Sequence, residues 1–146
     1  MFKVLRTLLV LLSIVGCSAA SADLAIIAHP DYKGGELDNE AVKKLFLGEN
    51  TDFPSGHKAL PANHAEGSPD RKNFFEYVLE MKDKKYKRIW SRRMSAGKKG
   101  APVELGSHKD VLAWIKKNPL GITYIDKTKA DDSVQVLFTV AVFEDL

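Results

Sequence analysis

Residues 24 to 28 read Leu-Ala-Ile-Ile-Ala with no polar break, closed by His29-Pro30. An apolar run of this length predicts a strand covered on both faces, not one with a wetted side. The period then lengthens: Val42, Leu45 and Phe46 fall on one side of a helix that Asp38 can cap and Gly48 can stop. Pro54-Ser55-Gly56 marks a loop, and Lys58 to Ala62 predicts a short strand leading to Gly67-Ser68. From Pro69 a helix buries Phe74, Phe75, Val78 and Leu79. Another starts near Asp83, with Tyr86, Ile89, Trp90 and Met94 inward and most of its lysines and arginines outward. Ser107 and Asp110 have capping-box spacing for a helix that turns Val111, Trp114 and Ile115 inward, carries Lys116 and Lys117 at its negative end, and stops at Asn118-Pro119. Gly121 to Ile125 and Ser133 to Phe143 read as strands, separated by a polar loop. Helices alternating with strands predict an α/β domain whose mainly parallel sheet is flanked by helices.

The first 22 residues fall outside this pattern. Lys3 and Arg6 precede an apolar stretch, Leu8 to Val15, and Ala20-Ser21-Ala22 is a small-residue cleavage site, so residues 1–22 read as an export signal and 23–146 as one domain with a periplasmic destination. The apolar stretch is too short to span a bilayer. The single cysteine, Cys17, lies in this leader, where Ile14-Val15-Gly16-Cys17 resembles a bacterial lipobox; an anchored lipoprotein is the alternative, and only then is a membrane implied. No disulfide is expected in the domain.

Charge changes the picture locally. The leader holds two of the 22 basic residues, leaving 20 against 19 acids. Within that near balance, Lys82 to Lys99 concentrates nine basic residues against one acid, Asp83. A local basic face follows, able to meet an acidic partner or anionic headgroups, whereas a general nucleic-acid binder does not.

The candidate chemistry sits at His64-Ala65-Glu66-Gly67-Ser68-Pro69-Asp70-Arg71. Ser68 is a good N-cap, Pro69 suits the first helical position, and Gly67 lets a ligand approach the backbone. Free N–H groups at such a turn favour phosphate, sulfate or carboxylate. At about 100° per residue Ser68 and Arg71 lie near the azimuth of Phe75 and Val78, so Arg71 can either reach over the turn to an anion or pair with Glu66. His64 is either an acid-strengthened anion contact or a solvated loop histidine. Asp70 stabilises the helix and opposes an anion. His29, His57, His64 and His108 lack metal-ligand spacing, and Gly67-Ser68-Pro69 is no nucleophile elbow, so neither metal, cofactor nor catalysis is predicted.

Four segments in order resemble the phosphate ABC transporter substrate-binding proteins (PstS type) and the short exported proteins grouped with them. Leu24 to Pro30 is similar to the family's apolar strand ending in Asn-Pro. Lys44-Leu45-Phe46-Leu47-Gly48 resembles its Ile-Phe-Leu-Gly, with Phe53 in place of the following tryptophan. The Glu66-Gly67-Ser68 turn resembles Arg-x-Asp/Glu-Gly-Ser, and Asn118 to Ile125 resembles a degraded Pro-Gly-Ala-Ile-Gly-Tyr. All four match the second lobe. The resemblance implies a single lobe of a type II periplasmic-binding-protein-like fold and a non-catalytic binder of phosphate or a similar small anion. It places His64, Gly67, Ser68 and Asp70 at the ligand positions, and Arg71 joins them as a candidate ligand residue by its azimuth. His64 stands in the arginine's place and Pro69-Asp70 in that of Gly-Thr, which favours the alternative of an envelope interaction module that has lost the ligand. A homodimer in which two lobes complete each other is a third reading.

Overall fold

The computed structural model describes residues 22–143, so the leader, its cleavage site and Cys17 lie outside the described residues apart from Ala22. Five strands and four α-helices follow in the order β1 (Leu24–Ala28), α1 (Asn39–Phe46), β2 (Leu60–His64), α2 (Pro69–Phe74), α3 (Asp83–Ser95), β3 (Val103–Leu105), α4 (His108–Lys117), β4 (Gly121–Asp126) and β5 (Gln135–Val140). Helix α2 runs directly into a wide π-helical turn at Phe75–Leu79, and a 3-10 turn at Lys127–Lys129 follows β4. The strands form one sheet in the order β3-β2-β4-β1-β5.

Every residue of β1 is fully buried, as its unbroken apolar character requires. Alternation along it divides the core. Leu24 and Ile26 face the layer that holds Phe46, Phe74, Val78, Tyr86, Trp90 and Tyr124, while Ala25 and Ile27 face Val111, Ile115 and Ile125. Helices α1, α2 and α3 therefore contribute to the larger layer and α4 covers the other face. Trp90 closes the larger layer by donating its indole N–H to the Phe46 carbonyl at 3.1 Å.

The α/β class holds, but the sheet is mixed where parallel pairing was expected to predominate. Strand β2 pairs parallel with β3 and β4, whereas β1 lies antiparallel to both β4 and β5. Alternating elements imply crossovers without saying where the first strand inserts. Here it enters between two strands about a hundred residues later in the chain, with Ala25 opposite Ile125 and Thr139.

Local signals fared better. Asp38 caps α1 through a 2.8 Å bond from Ala41 N–H, and Ser107 and Asp110 form the expected reciprocal capping box. Three expectations need correction. Strand β2 starts two residues later than predicted, because Lys58 pairs with Asp52 at 2.7 Å in the preceding loop. Met94 is 55 % exposed, lying at the far end of α3 beyond the reach of the core. The three-residue β3 was not anticipated: between Pro102 and Gly106 it is too short to show a period.

Candidate functional site

The end of β2 delivers the chain to the turn. Gly67, at φ +85°, takes the left-handed conformation that this turn needs, and the space where a Cβ would stand is open. Ser68 then starts α2: its Oγ accepts from Arg71 N–H at 3.3 Å, and Pro69 occupies the first helical turn. A concavity of about 1040 Å³ opens against Gly67, Ser68 and Pro69. Arg71, Lys72, Lys82 and Phe75 line it, and so do the carboxylates Glu76, Glu80 and Asp83. The other wall comes from the end of the π turn, where Glu80 holds φ +55°, an uncommon value for a residue with a side chain.

Arg71 faces inward, as its azimuth predicted, and is 1 % exposed. It does not pair with Glu66, which instead meets Lys87. Its Nε and Nη2 donate to Asp83 Oδ1 at 2.9 and 2.5 Å, and Nη1 donates to Glu104 Oε1 at 3.0 Å and to the His64 carbonyl at 2.7 Å. The guanidinium also lies 4.6 Å over the Phe75 ring. Burial by itself would ease its proton off, but the hydrogen bond and charge of Asp83 outweigh that and hold Arg71 above its ordinary pKa. The cation therefore joins the tip of β2 to α3 and β3.

His64 is not a solvated loop residue. It ends β2, 1 % exposed, and its ring stacks on Tyr124 at 4.4 Å, which in turn stacks on Phe74 at 3.9 Å. Nε2 lies 2.5 Å from the Tyr124 carbonyl, which can only accept, so this nitrogen carries the proton. Nδ1 is then left 4.0 Å from the Asp70 carboxylate. Asp70 is 6 % exposed; its Oδ2 accepts from Asp126 N–H and meets His108 Nε2, both at 2.9 Å. Thus Asp70 points away from the turn and ties α2 to β4 and α4. Beneath it, Asn63 Oδ1 accepts from the Tyr124 hydroxyl and from His64 N–H, while Asn63 Nδ2 and Tyr86 Oη are buried without a well-formed partner. Burial pushes the Tyr124 phenol well above its usual range.

The five predicted site residues consequently separate into two layers. Gly67 and Ser68 border the concavity; His64, Asp70 and Arg71 form a buried network behind it, with Arg71 touching both. Asn63, Asp83, Glu104, His108 and Tyr124 were missed as its members. Only spatial proximity joins them, although Asp83 carried one signal, as the sole acid in the basic segment.

His64 gives the network a pH dependence. Burial, its largest influence, lowers the pKa below the usual value of about 6.5, and the Tyr124 carbonyl and Asp70 offset this only in part. The folded state then binds fewer protons than the unfolded state once pH falls below about 6.5. Stability is full above that point and declines as pH falls towards the folded pKa, by up to ~1.4 kcal/mol per pH unit from this group. Urea denaturation at several pH values should show a steeper fall in the wild type than in His64→Gln; equal slopes would refute the assignment.

No family model matches the chain. Its fold, however, matches solved structures. A protein from Clostridium perfringens described as a phosphate ABC transporter substrate-binding protein, solved with bound phosphate, superposes with a TM-score of 0.64 at 18 % identity over 80 % of this chain and 44 % of its own. The fold is that of a single lobe of a phosphate-type binding protein. An ABC-type phosphate transport receptor from Vibrio cholerae gives 0.63 at 14 % identity, covering 80 % of this chain and 45 % of that one. PstS from Borrelia burgdorferi gives 0.54 at 15 % identity over 71 % and 40 %. The chain thus spans less than half the length of each, and the likeness at these identities is one of fold.

Proposed function

We propose that this chain is an exported, non-catalytic solute-binding-type protein of the periplasm that takes phosphate or a similar small oxyanion at the Gly67-Ser68 turn. The observation that carries the reading is the concavity lying against that turn, with the Ser68 hydroxyl, Lys72 and Lys82 bordering it, in a lobe whose fold is shared with a phosphate-bound protein. Of the first-turn positions Pro69 has no N–H and Arg71 N–H is held by Ser68 Oγ, which leaves the Asp70 N–H as the donor; Lys72 and Lys82 supply positive charge, with Glu76, Glu80 and Asp83 bordering the same space. Arg71 has a supporting role here, since its donors already serve Asp83, Glu104 and the His64 carbonyl. A single open lobe leaves a bound ion wet, and affinity in the roughly millimolar range follows.

Calorimetry on the chain from Ala22 onward, with phosphate and with sulfate, tests this. Saturable heat that weakens in Ser68→Ala and Lys72→Ala supports it; no heat from either ion at millimolar concentrations overturns it. One observation favours a second reading, an envelope interaction module that has lost the ligand: Arg71 is already neutralised by two carboxylates. A stoichiometric envelope partner retained by Ser68→Ala, with no anion heat, would establish that reading instead.

A further inference from the structure

Helix α3 carries three lysines at the end where its dipole disfavours them. Its N-cap is Lys82, which makes no side-chain capping bond, and Lys84 and Lys85 follow in the first turn beside one acid, Asp83, whose carboxylate is held by Arg71. Cations at that end oppose the helix dipole, and a capping oxygen is absent where Ser, Thr or Asp would serve. The other helices of the lobe behave differently, with Asp38, Ser68 and Ser107 as caps. Arg92 and Arg93 at the last turn are explained by the dipole; Lys82, Lys84 and Lys85 are not.

The placement of these charges is equally one-sided. Tyr86 and Trp90 set the buried side. At about 100° per residue, Lys84, Lys85, Arg88 and Arg92 fall within roughly one quadrant facing away from it, and all four are exposed. Among the described residues, α3 makes only two ion pairs, Asp83 with Arg71 and Lys87 with Glu66, both off this quadrant. Ser91 and Ser95, small and exposed, complete the surface. The outcome is a cationic strip about 12 Å long, from Lys84 to Arg92, with no acid and no large aromatic anchor.

We propose that this face of α3 docks on an anionic lipid bilayer. A specific protein interface is organised around buried anchors seated in pockets, and this strip offers none. A surface of anionic headgroups needs no such anchor: its charges are dense, laterally mobile and matched by an extended row of lysines and arginines. The attraction is electrostatic and therefore salt-sensitive.

Co-sedimentation with phosphatidylcholine vesicles, with and without phosphatidylglycerol, tests the docking on the chain from Ala22 onward. That chain holds the whole described fold without the apolar leader. Binding is expected to the anionic vesicles alone and to weaken as salt rises. Lys84→Glu with Lys85→Glu should weaken it by about tenfold or more, while thermal stability stays unchanged or rises because the new charges suit the dipole. Lys116→Glu with Lys117→Glu, the same charge change on α4, should leave binding nearly intact. Absence of binding by the wild type, equal loss in both double variants, or capture of an acidic envelope protein without vesicle binding would overturn the proposal.

Discussion

Replacing Arg71 by alanine is expected to lower the unfolding free energy by about 3 kcal/mol, measured by urea denaturation at neutral pH. Three separated parts of the chain meet at this guanidinium: the His64 carbonyl at the tip of β2, Asp83 at the start of α3 and Glu104 in β3. Without it the buried His64 carbonyl loses a donor. The two carboxylates face each other without the cation between them. Asp83 and Glu104 remain about half exposed and can regain water, which keeps the loss at the lower end for a broken buried pair. Arg71→Lys should recover only part of it, because a compact ammonium cannot serve three acceptors in the fork geometry. A variant that lost anion heat yet kept full stability would instead assign Arg71 directly to the ligand.

Phe74→Ala is expected to cost more, about 4 kcal/mol. Phe74 is fully buried, stacks on Tyr124 at 3.9 Å and meets Phe46 at 4.7 Å, so its removal opens a cavity where α1, α2 and β4 converge. The ring also backs the Tyr124 side chain on which His64 rests. The same denaturation series should therefore show that Phe74→Ala weakens the pH dependence attributed to His64, while Phe74→Leu, which keeps most of the volume, loses only about 1 kcal/mol and retains that dependence. A loss below about 1 kcal/mol for Phe74→Ala would contradict this packing.

How far the sequence could be read depended on the range of the interaction. Asp38, Ser68 and the Ser107–Asp110 pair act within one helical turn, so their residue types alone located three helix starts. The apolar run of β1 announced burial on both faces because nothing polar interrupts it. At the site, the Gly67-Ser68 turn and the inward azimuth of Arg71 were legible for the same reason. What Arg71 touches was not. Its partner Glu104 lies 33 residues away, on a strand too short to have a period, and Asp83 looked like an ordinary first-turn acid.

His64 shows the limit most clearly. Two residues of displacement separate a loop histidine from the last residue of β2, and the later start of that strand placed the ring in the core against Tyr124, 60 residues on. By itself, then, the chain determined its α/β class, its caps, its buried first strand, its basic segment and the turn at Gly67-Ser68, because each depends on neighbours within a few residues. Tertiary structure decided that β1 runs antiparallel between β4 and β5, that His64, Asp70 and Arg71 satisfy one another and their surroundings, and that Gly67 and Ser68 are left facing the concavity. Those outcomes depend on which distant groups meet once the sheet closes, and a buried charge settles beside whatever partners the fold brings within hydrogen-bond reach.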